Sequence, residues 1–291
     1  MNSLTLRSPA KVNLYLRIVG RYQNGYHKLV TVFHRLSLCD TLRLEKKESG
    51  FTLCSSGPAL PSGRENLVVK AYELLKKKFP NLKGVSVNLK KRIPIGGGLG
   101  GGSSNAATFL LGMKKLYRLP ITLRELVLIG KRLGADVPFF LHNLNHGIGL
   151  GRGDRIVPRP LKRKFWFLLL IDKKGLSTRK VYERLSHSRP AVSLTNIYHT
   201  VKILSSFLDE GNAVQAGRLL QNDLEAAAFC LRPSIQKKIK RLRELGIPAV
   251  GMSGSGPTVF GFFSREEEAR RLHRTLPQDR RYQKVIVCHS L

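Results

Sequence analysis

The first third of the chain alternates apolar and polar residues with the period of a strand, as in Leu4–Arg7 and Asn13–Val19. A turn follows that carries Asn24-Gly25, a dipeptide typical of tight turns. Further short strands are predicted at Leu29–Leu38, Thr41–Glu45 and Phe51–Cys54. The pattern therefore predicts a β-rich opening.

Helical spacing begins at Asn66–Phe79, where apolar residues occupy one face and lysines the other. A strand at Val85–Leu89 leads to Pro94 and a glycine run. The pattern then predicts a helix from about Ser103 to Leu116. A further helix is predicted at Thr122–Leu133, with Thr122 as its cap.

The segment Gly147–Pro160 is rich in Gly, Arg and Pro, and we take it as the boundary between an N-terminal lobe, residues 1–155, and a C-terminal lobe, residues 156–291. The apolar run Phe165–Ile171 then predicts a buried strand. The remaining elements expected are helices near Ser193–Leu208, Ala213–Leu219, Ser234–Leu245 and Glu266–Thr275, and strands at Ala249–Gly251, Thr258–Phe263 and Lys284–His289. Strands and helices mix without regular β-α-β alternation, so we expect an α+β fold.

The net charge of the chain indicates the kind of ligand it binds. The 291 residues include 51 Lys and Arg against 19 Asp and Glu, a net charge of +32. Such a surface attracts anions, among them nucleic acid, acidic lipid and nucleotides. The apolar content of 42% is ordinary and excludes wholesale disorder. Composition alone favours a nucleic-acid-binding protein.

Membrane insertion and export are not expected. The longest apolar run, Phe165–Ile171, has seven residues, whereas a spanning helix needs roughly 20. The N-terminus alternates like a strand and lacks the pattern of a signal peptide. The four cysteines show no CxxC spacing, so we expect reduced thiols and a cytoplasmic protein.

The segment Pro94–Ser104 contains six glycines in eleven residues, between a predicted strand and a predicted helix. Glycine lets backbone N–H groups approach a ligand closely, and a helix N-terminus attracts anions. Ser103 follows the last glycine where a P-loop needs lysine, and the acidic residue of a dinucleotide fold is missing. Residues 74–124 hold eleven Lys or Arg and no acid. A phosphate-binding loop is therefore favoured over a flexible linker.

Three motifs in order resemble those of the GHMP small-molecule kinases: Ser8–Leu14, Pro94–Ala107 and Gly251–Thr258. Four further segments resemble the members of that superfamily that phosphorylate a cytidine diphosphate alcohol: Gly20–His27, Leu133–Phe139, Gly175–Tyr182 and Asn222–Glu225. The resemblance implies a two-lobed GHMP-kinase-like fold with the active site in the cleft between the lobes.

The resemblance also assigns roles to residues. Asp136 is the expected catalytic base, and Lys11 is expected to stabilise the developing alkoxide. Asn66 is expected at the nucleotide. The ATP loop is expected to comprise Pro94, Ile95, Gly96, Gly97, Gly98, Leu99, Gly100, Gly101, Gly102, Ser103 and Ser104.

For the acceptor, His27 is expected to hydrogen-bond the cytosine edge, while Tyr26 and Tyr182 are expected to stack on its two faces. The other residues expected near the acceptor are Asn13, Thr178, Gly254 and Gly256. Mg²⁺ is expected on the ATP oxygens. No acidic metal cluster is visible, so phosphates and water should hold the ion, with Ser104 as a candidate ligand.

The function implied by the resemblance is ATP-dependent phosphorylation of a hydroxyl in non-mevalonate isoprenoid precursor biosynthesis. We expect a monomer or weak homodimer that binds small molecules and no specific nucleic acid. Two alternatives stay open at this point. One is another GHMP-type kinase, acting on homoserine, mevalonate or a sugar; the other is a basic nucleic-acid-binding protein.

Overall fold

A computed structural model describes residues 2–57, 63–172, 174–185, 193–276 and 282–291. Within these ranges the chain forms two β-sheets covered by helices. The strands are β1 (Ser3–Arg21), β2 (His27–Lys47), β3 (Phe51–Ser56), β4 (Gly84–Lys90), β5 (His146–Gly151), β6 (Arg155–Pro158), β7 (Trp166–Asp172), β8 (Gln221–Asn222), β9 (Val250–Met252), β10 (Val259–Phe263) and β11 (Tyr282–His289). The helices are α1 (Leu67–Lys78), α2 (Gly101–Tyr117), α3 (Leu123–Leu133), α4 (Val137–Leu141), α5 (Thr178–Glu183), α6 (Leu194–Asp209), α7 (Ala213–Arg218), α8 (Glu225–Leu231), α9 (Ser234–Glu244) and α10 (Glu266–Thr275).

The strands β1 and β2 form one long antiparallel hairpin. The sequence pattern predicted shorter strands, with a break near Pro9, and this was wrong. The hairpin runs through that position with a register shift between Pro9 and Ala10 and another between Asn13 and Tyr15. Such bulges absorb a residue that cannot donate to the ladder, so the strand bends without ending.

The first sheet has the order β3-β4-β2-β1-β8, and β5 with β6 extends it from β2. One edge of β2 has two partners: β4 lies along Thr41–Lys47 and β5 along Leu29–His34. Between them, Leu36 of β2 forms an isolated bridge with Ser290, and the Arg35 carbonyl accepts from Leu291 N at 3.2 Å. The chain that leaves β4 passes Asp40 of β2 on its way into the glycine loop, and Arg92 N and Ile93 N donate to the Asp40 carboxylate.

The first three helices begin within two residues of their predicted starts. Thr122 caps α3, as predicted, in a capping box with Glu125, and Asn66 caps α1. The helix α2 begins at Gly101, inside the glycine run and two residues before the predicted start. Its N-cap is Gly100 in the left-handed conformation, with no side-chain cap.

The second sheet has the order β11-β7-β10-β9. The strand β7 is apolar from Trp166 to Ile171, and both of its faces are buried. Phe167 and Leu169 pack towards the first sheet and α6, in one core cluster with Val12 and Leu14 of β1. Leu168 and Leu170 pack on the opposite side against α8, α9 and α10. The two lobes therefore share a hydrophobic core.

The α+β class and the two-lobed architecture predicted from the sequence are confirmed. The boundary at residue 155 stays a prediction; β6 and β8 follow it in sequence and still belong to the first sheet. The short elements β5, β6, α4, α5 and α8 were not predicted. The cysteines are free, with Cys39 and Cys288 buried and Cys54 and Cys230 exposed. In the described part of the chain, no helix is long and apolar enough to cross a membrane.

Candidate active site

A cavity of about 1010 Å³ lies between the glycine loop, the β1–β2 hairpin, the start of α4 and helix α5. It brings together most of the residues that the sequence pointed to. Those that line it are Lys11, Asn13, Tyr26, His27, Asn66, Pro94, Ile95, Gly96, Gly97, Gly98, Leu99, Gly100, Gly101, Gly102, Ser103, Asp136, Thr178, Tyr182 and Gly254. Of the predicted set, Ser104 and Gly256 do not line it.

The glycine loop opens onto the N-terminus of α2. Gly96, Gly98 and Gly100 have φ values of +67°, +75° and +69°, a region that residues with a Cβ rarely adopt. The first turn of α2 contains no acidic residue, and its N-cap offers no side-chain acceptor. Backbone N–H groups at this end are therefore available to an anion.

Lys11 is buried at the floor of the cavity, with 3% of its surface exposed. Its ammonium donates to Asn13 Oδ1 at 2.6 Å and to the Gly98 carbonyl at 3.2 Å. The same nitrogen lies 3.2 Å from Asp136 Oδ2. One cation thus joins the glycine loop to the carboxylate across the cavity.

Asp136 lies directly before α4, whose second residue is Pro138. Its carboxylate makes no capping hydrogen bond to that helix, although an aspartate at a helix start commonly does. The side chain is 31% exposed and faces the cavity. A carboxylate in this position can accept a proton from a ligand, while Lys11 holds its orientation.

Aromatic rings from two elements meet at the far end of the cavity. The His27 ring lies 5.2 Å from that of Tyr182 on α5, at an interplanar angle of 35°. Tyr26 is 57% exposed, and the Arg152 guanidinium lies 5.2 Å from its ring centre. Burial, and secondarily the charge of Asp136, raise the pKa of Tyr182 well above its usual value. The arrangement can hold a planar ring beside hydrogen-bonding groups.

A second glycine loop, between β9 and β10, reaches the cavity from the C-terminal lobe. The Asn222 side-chain amide donates to the carbonyls of Met252 and Gly254, at 2.8 and 2.7 Å. A Cβ on Gly254 would lie 3.2 Å from Asn13 Oδ1. A Cβ on Gly256 would instead meet Met252 Sδ at 2.7 Å, inside the lobe. Gly254 thus lies at the cavity, whereas Gly256 packs inside the C-terminal lobe.

The connection between β7 and α5 also contacts the glycine loop Pro94–Ser104. Leu176 N donates to the Gly96 carbonyl at 3.2 Å, and the backbones of Gly96 and Gly175 approach so closely that a Cβ on either would clash. On α5, the hydroxyl of Thr178 lies 2.8 Å from that of Ser255. Helix α5 is therefore fixed relative to both glycine loops.

Ser104 does not occupy the position expected of a metal ligand. It is fully buried, and its hydroxyl accepts a hydrogen bond from Ser8 at 2.8 Å. Ser103, one residue earlier, lines the cavity instead. The difference follows from the early start of α2, which turns Ser104 towards the core. Among the described residues, no group of three or more His, Cys, Asp or Glu side chains is placed to hold a metal ion.

Several charged residues at the cavity were missed by the sequence analysis. Five are cations that surround its mouth: Arg21, Lys131, Arg132, Arg152 and Arg179. The nearness of Lys131 and Arg132 to the motif around Asp136 was an available signal. Of the eleven cations in residues 74–124, all of which the structure describes, Lys91 alone lines the cavity. The acid-free stretch therefore contributes less to this site than its sequence suggested.

Comparisons with known proteins show the family of this chain. The GHMP kinases N terminal domain matches residues 66–143, and the GHMP kinases C terminal domain matches residues 204–280. A 4-diphosphocytidyl-2-C-methyl-D-erythritol kinase of Syntrophus aciditrophicus is 39% identical over 277 residues, covering 94% of each chain. One of Bacillus cereus is 35% identical over 274 residues, covering 94% of this chain and 92% of the relative.

Comparisons with solved structures indicate the same family. A 4-(cytidine 5'-diphospho)-2C-methyl-D-erythritol kinase aligns with a TM-score of 0.81, 33% identity and 98% coverage of both chains. A homoserine kinase of Cytophaga hutchinsonii aligns with a TM-score of 0.73 at 18% identity, over 100% of this chain and 95% of the other, a likeness of fold alone. The chain belongs to the GHMP kinases, in the family of the 4-diphosphocytidyl-2-C-methyl-D-erythritol kinases.

Proposed function

We propose that this protein transfers the γ-phosphoryl group of ATP to the 2-hydroxyl of 4-diphosphocytidyl-2-C-methyl-D-erythritol, in non-mevalonate isoprenoid precursor biosynthesis. One observation carries the proposal. The ion pair of Lys11 and Asp136, 3.2 Å apart, lies between an uncapped helix N-terminus and an aromatic pair in a single cavity. These are the parts that phosphoryl transfer to a nucleoside-linked alcohol requires.

The triphosphate would bind at the glycine loop, where the amides of Gly100 and Gly101 begin α2. The oxygen donors of Ser103 and Asp136 at the cavity are few but of the type that Mg²⁺ prefers, so the residues fit an ion that keeps phosphates and water as most of its ligands. Bound Mg²⁺ would neutralise charge on the β- and γ-phosphate oxygens.

Asp136 would accept the proton of the acceptor hydroxyl as that oxygen attacks phosphorus. Lys11 would orient Asp136 and stabilise negative charge on the attacking oxygen. Its other two contacts, to Asn13 and to the Gly98 carbonyl, fix the ammonium between the two substrates. Positioning of this kind needs no large movement of the side chains during the reaction.

The acceptor would extend from Asp136 towards α5. Tyr182 and His27 are the residues best placed for its cytosine, because their rings already lie together. Thr178 and Gly254 border the path between the aromatic pair and Asp136. The five cations around the cavity mouth would attract both substrates, which are polyanions.

A coupled assay of ADP release tests the proposal. We expect turnover with the cytidine diphosphate alcohol and none with homoserine or mevalonate. Asp136→Asn should lower kcat by about 10²- to 10⁴-fold, because the variant has no base at the reacting hydroxyl. Asp209→Asn is the matched control, since Asp209 pairs with Arg159 on the surface, away from the cavity. Near-normal turnover by Asp136→Asn would refute the assigned chemistry.

The expected cytoplasmic location and the expected monomer or weak homodimer stay predictions. Cell fractionation and sedimentation would test them.

A further inference from the structure

Asp40 is a fully buried carboxylate on β2, next to Thr41, where the pairing of β2 with β4 ends. Both of its oxygens are occupied. Oδ1 accepts hydrogen bonds from the backbone N–H groups of Arg92 and Ile93, at 2.7 and 2.9 Å. Oδ2 accepts from the Lys91 ammonium and from the Asn105 side-chain amide, the latter at 2.9 Å.

These partners lie on opposite sides of the glycine loop. Arg92 and Ile93 directly precede Pro94, the first residue of the loop, and Asn105 directly follows Ser104, the last. One carboxylate therefore fastens both ends of the loop to β2. The Lys91 ammonium strengthens the closure, because it also donates to Asn105 Oδ1 at 3.2 Å.

The network continues away from the loop to β1. The amide of Asn105 also donates to the Ser8 hydroxyl at 2.9 Å, and Ser8 donates to Ser104 at 2.8 Å. All of these side chains are at least nine-tenths buried. The start of α2 is thereby joined to both strands of the central hairpin.

The location of Lys91 is unusual for a cation. A Cβ on Gly101, the first residue of α2, would lie 3.2 Å from its nitrogen. Positive charge near a helix N-terminus is unfavourable, and a buried ion pair gains little over an apolar pair of the same shape. The ion pair of Asp40 and Lys91 is therefore poorly explained by a gain in stability. It is better explained by the need for a fixed geometry of the glycine loop.

We propose that Asp40 is a positioning residue for nucleotide binding. It holds the two ends of the glycine loop at a fixed separation, so that the amides of the loop are arranged before the phosphates arrive. Asp40 does not touch the substrate. The inference rests on the proposed function, because it takes the loop to be the site of the triphosphate.

The first measurement is hydrogen exchange of the ligand-free protein. In the double variant Asp40→Ala/Lys91→Met, which leaves no unpaired buried charge, we expect the amides of residues 96–104 to exchange about tenfold faster or more. The second measurement is binding of a non-hydrolysable ATP analogue. It is made on Asp40→Asn, which keeps Lys91, a residue that lines the cavity. We expect the Kd of the analogue to rise about tenfold or more, because a displacement of positioned groups by about 1 Å has effects of this order. The Kd of CDP should stay within about twofold.

Leu75→Ala is the control, because it removes buried apolar volume from α1 in the same lobe without contacting the loop. It should lower the melting temperature and leave loop exchange and nucleotide Kd unchanged. If the double variant does not fold, Asp40→Asn is used; it keeps the size of the side chain but no longer balances Lys91. Unchanged loop exchange and nucleotide Kd in a folded Asp40 variant would overturn the proposal. Failure of the wild-type protein to bind the analogue would count against the proposed function, and loop exchange would still test Asp40.

Discussion

Gly98→Ala is the substitution whose effect the structure defines most sharply. Gly98 lies at the centre of the glycine loop, and its carbonyl accepts hydrogen bonds from Ser253 Oγ at 2.9 Å and from Lys11 Nζ at 3.2 Å. The residue therefore joins the first glycine loop to the second glycine loop and to the ion pair of Lys11 and Asp136. Any displacement of the Gly98 backbone should therefore disturb both glycine loops and the pair of Lys11 and Asp136.

Two separate penalties follow from adding a Cβ. The first is conformational, because φ is +75° at Gly98, and a side chain in this region costs about 1–2 kcal/mol. The second is steric. The new Cβ would lie 2.1 Å from the Ser253 carbonyl oxygen, where ordinary contacts begin near 3.4 Å. The loop must move by roughly 1 Å, a displacement that can reduce kcat/KM about 100-fold, or by about 2.7 kcal/mol in activation free energy.

Gly246→Ala separates the two penalties. Gly246 has a φ of +76°, and a Cβ there would meet nothing within 4 Å. Both variants should therefore bear a similar conformational penalty, Gly98→Ala should lose further stability through the steric clash, and only Gly98→Ala should lose activity. Melting temperatures measure the first effect, and the coupled ADP assay at varied ATP measures the second. Equal kcat/KM in the two variants would refute the claim that the loop cannot yield at Gly98.

Other substitutions test the rest of the site and the core. Lys11→Met should lower kcat by about 10²- to 10³-fold, measured in the ADP assay, because Asp136 loses its partner and the attacking oxygen its cation. Tyr182→Ala should raise the acceptor KM about tenfold and leave the ATP KM unchanged, which initial-rate kinetics would check. Burial lowers the pKa of His146 to about 4 and that of His34, 3.1 Å away, well below its usual value. As the pH falls, His146 therefore takes up a proton in the unfolded chain before it does so in the folded protein. Acidification from about pH 7.5 to about pH 5 should lower the free energy of unfolding by about 2 kcal/mol through His146 alone. Urea unfolding at the two pH values would measure this loss, and it should be smaller in His146→Leu. RNA retained by the basic surface at low salt should dissociate by about 0.3 M salt in a filter-binding assay.

Much of the architecture could be predicted from the sequence because local signals agreed with the final packing. The caps at Asn66 and Thr122 mark their helices, and the apolar run of β7 indicates a strand buried on both faces. Where tertiary contacts decide, the sequence pattern failed. The hairpin continues past Pro9 because a bulge and a paired strand support it. The apolar periodicity of one segment does not show where a bulge forms or which strand pairs with it.

The candidate site shows the same division. Motifs brought Lys11, Asp136 and the glycine loop to attention, and the structure places them in one cavity. The orientation of Ser104 depended on where α2 starts, which a run of glycines leaves undetermined. The role inferred for Asp40 depends on partners more than 50 residues away in sequence. Contacts between residues so far apart in sequence can be identified only from the three-dimensional structure.

The core that β1 shares with β7 has a consequence for how ligands come and go. Val12 and Leu14 of β1 pack in the same cluster as Phe167 and Leu169 of β7, so this cluster crosses from one lobe to the other. A hinge that swung the lobes apart would expose this apolar surface to water at large cost. Substrates and products should therefore exchange through local movement of loops and side chains around a rigid body. For the same reason, residues 1–155 and 156–291 expressed as separate chains should aggregate or bind each other.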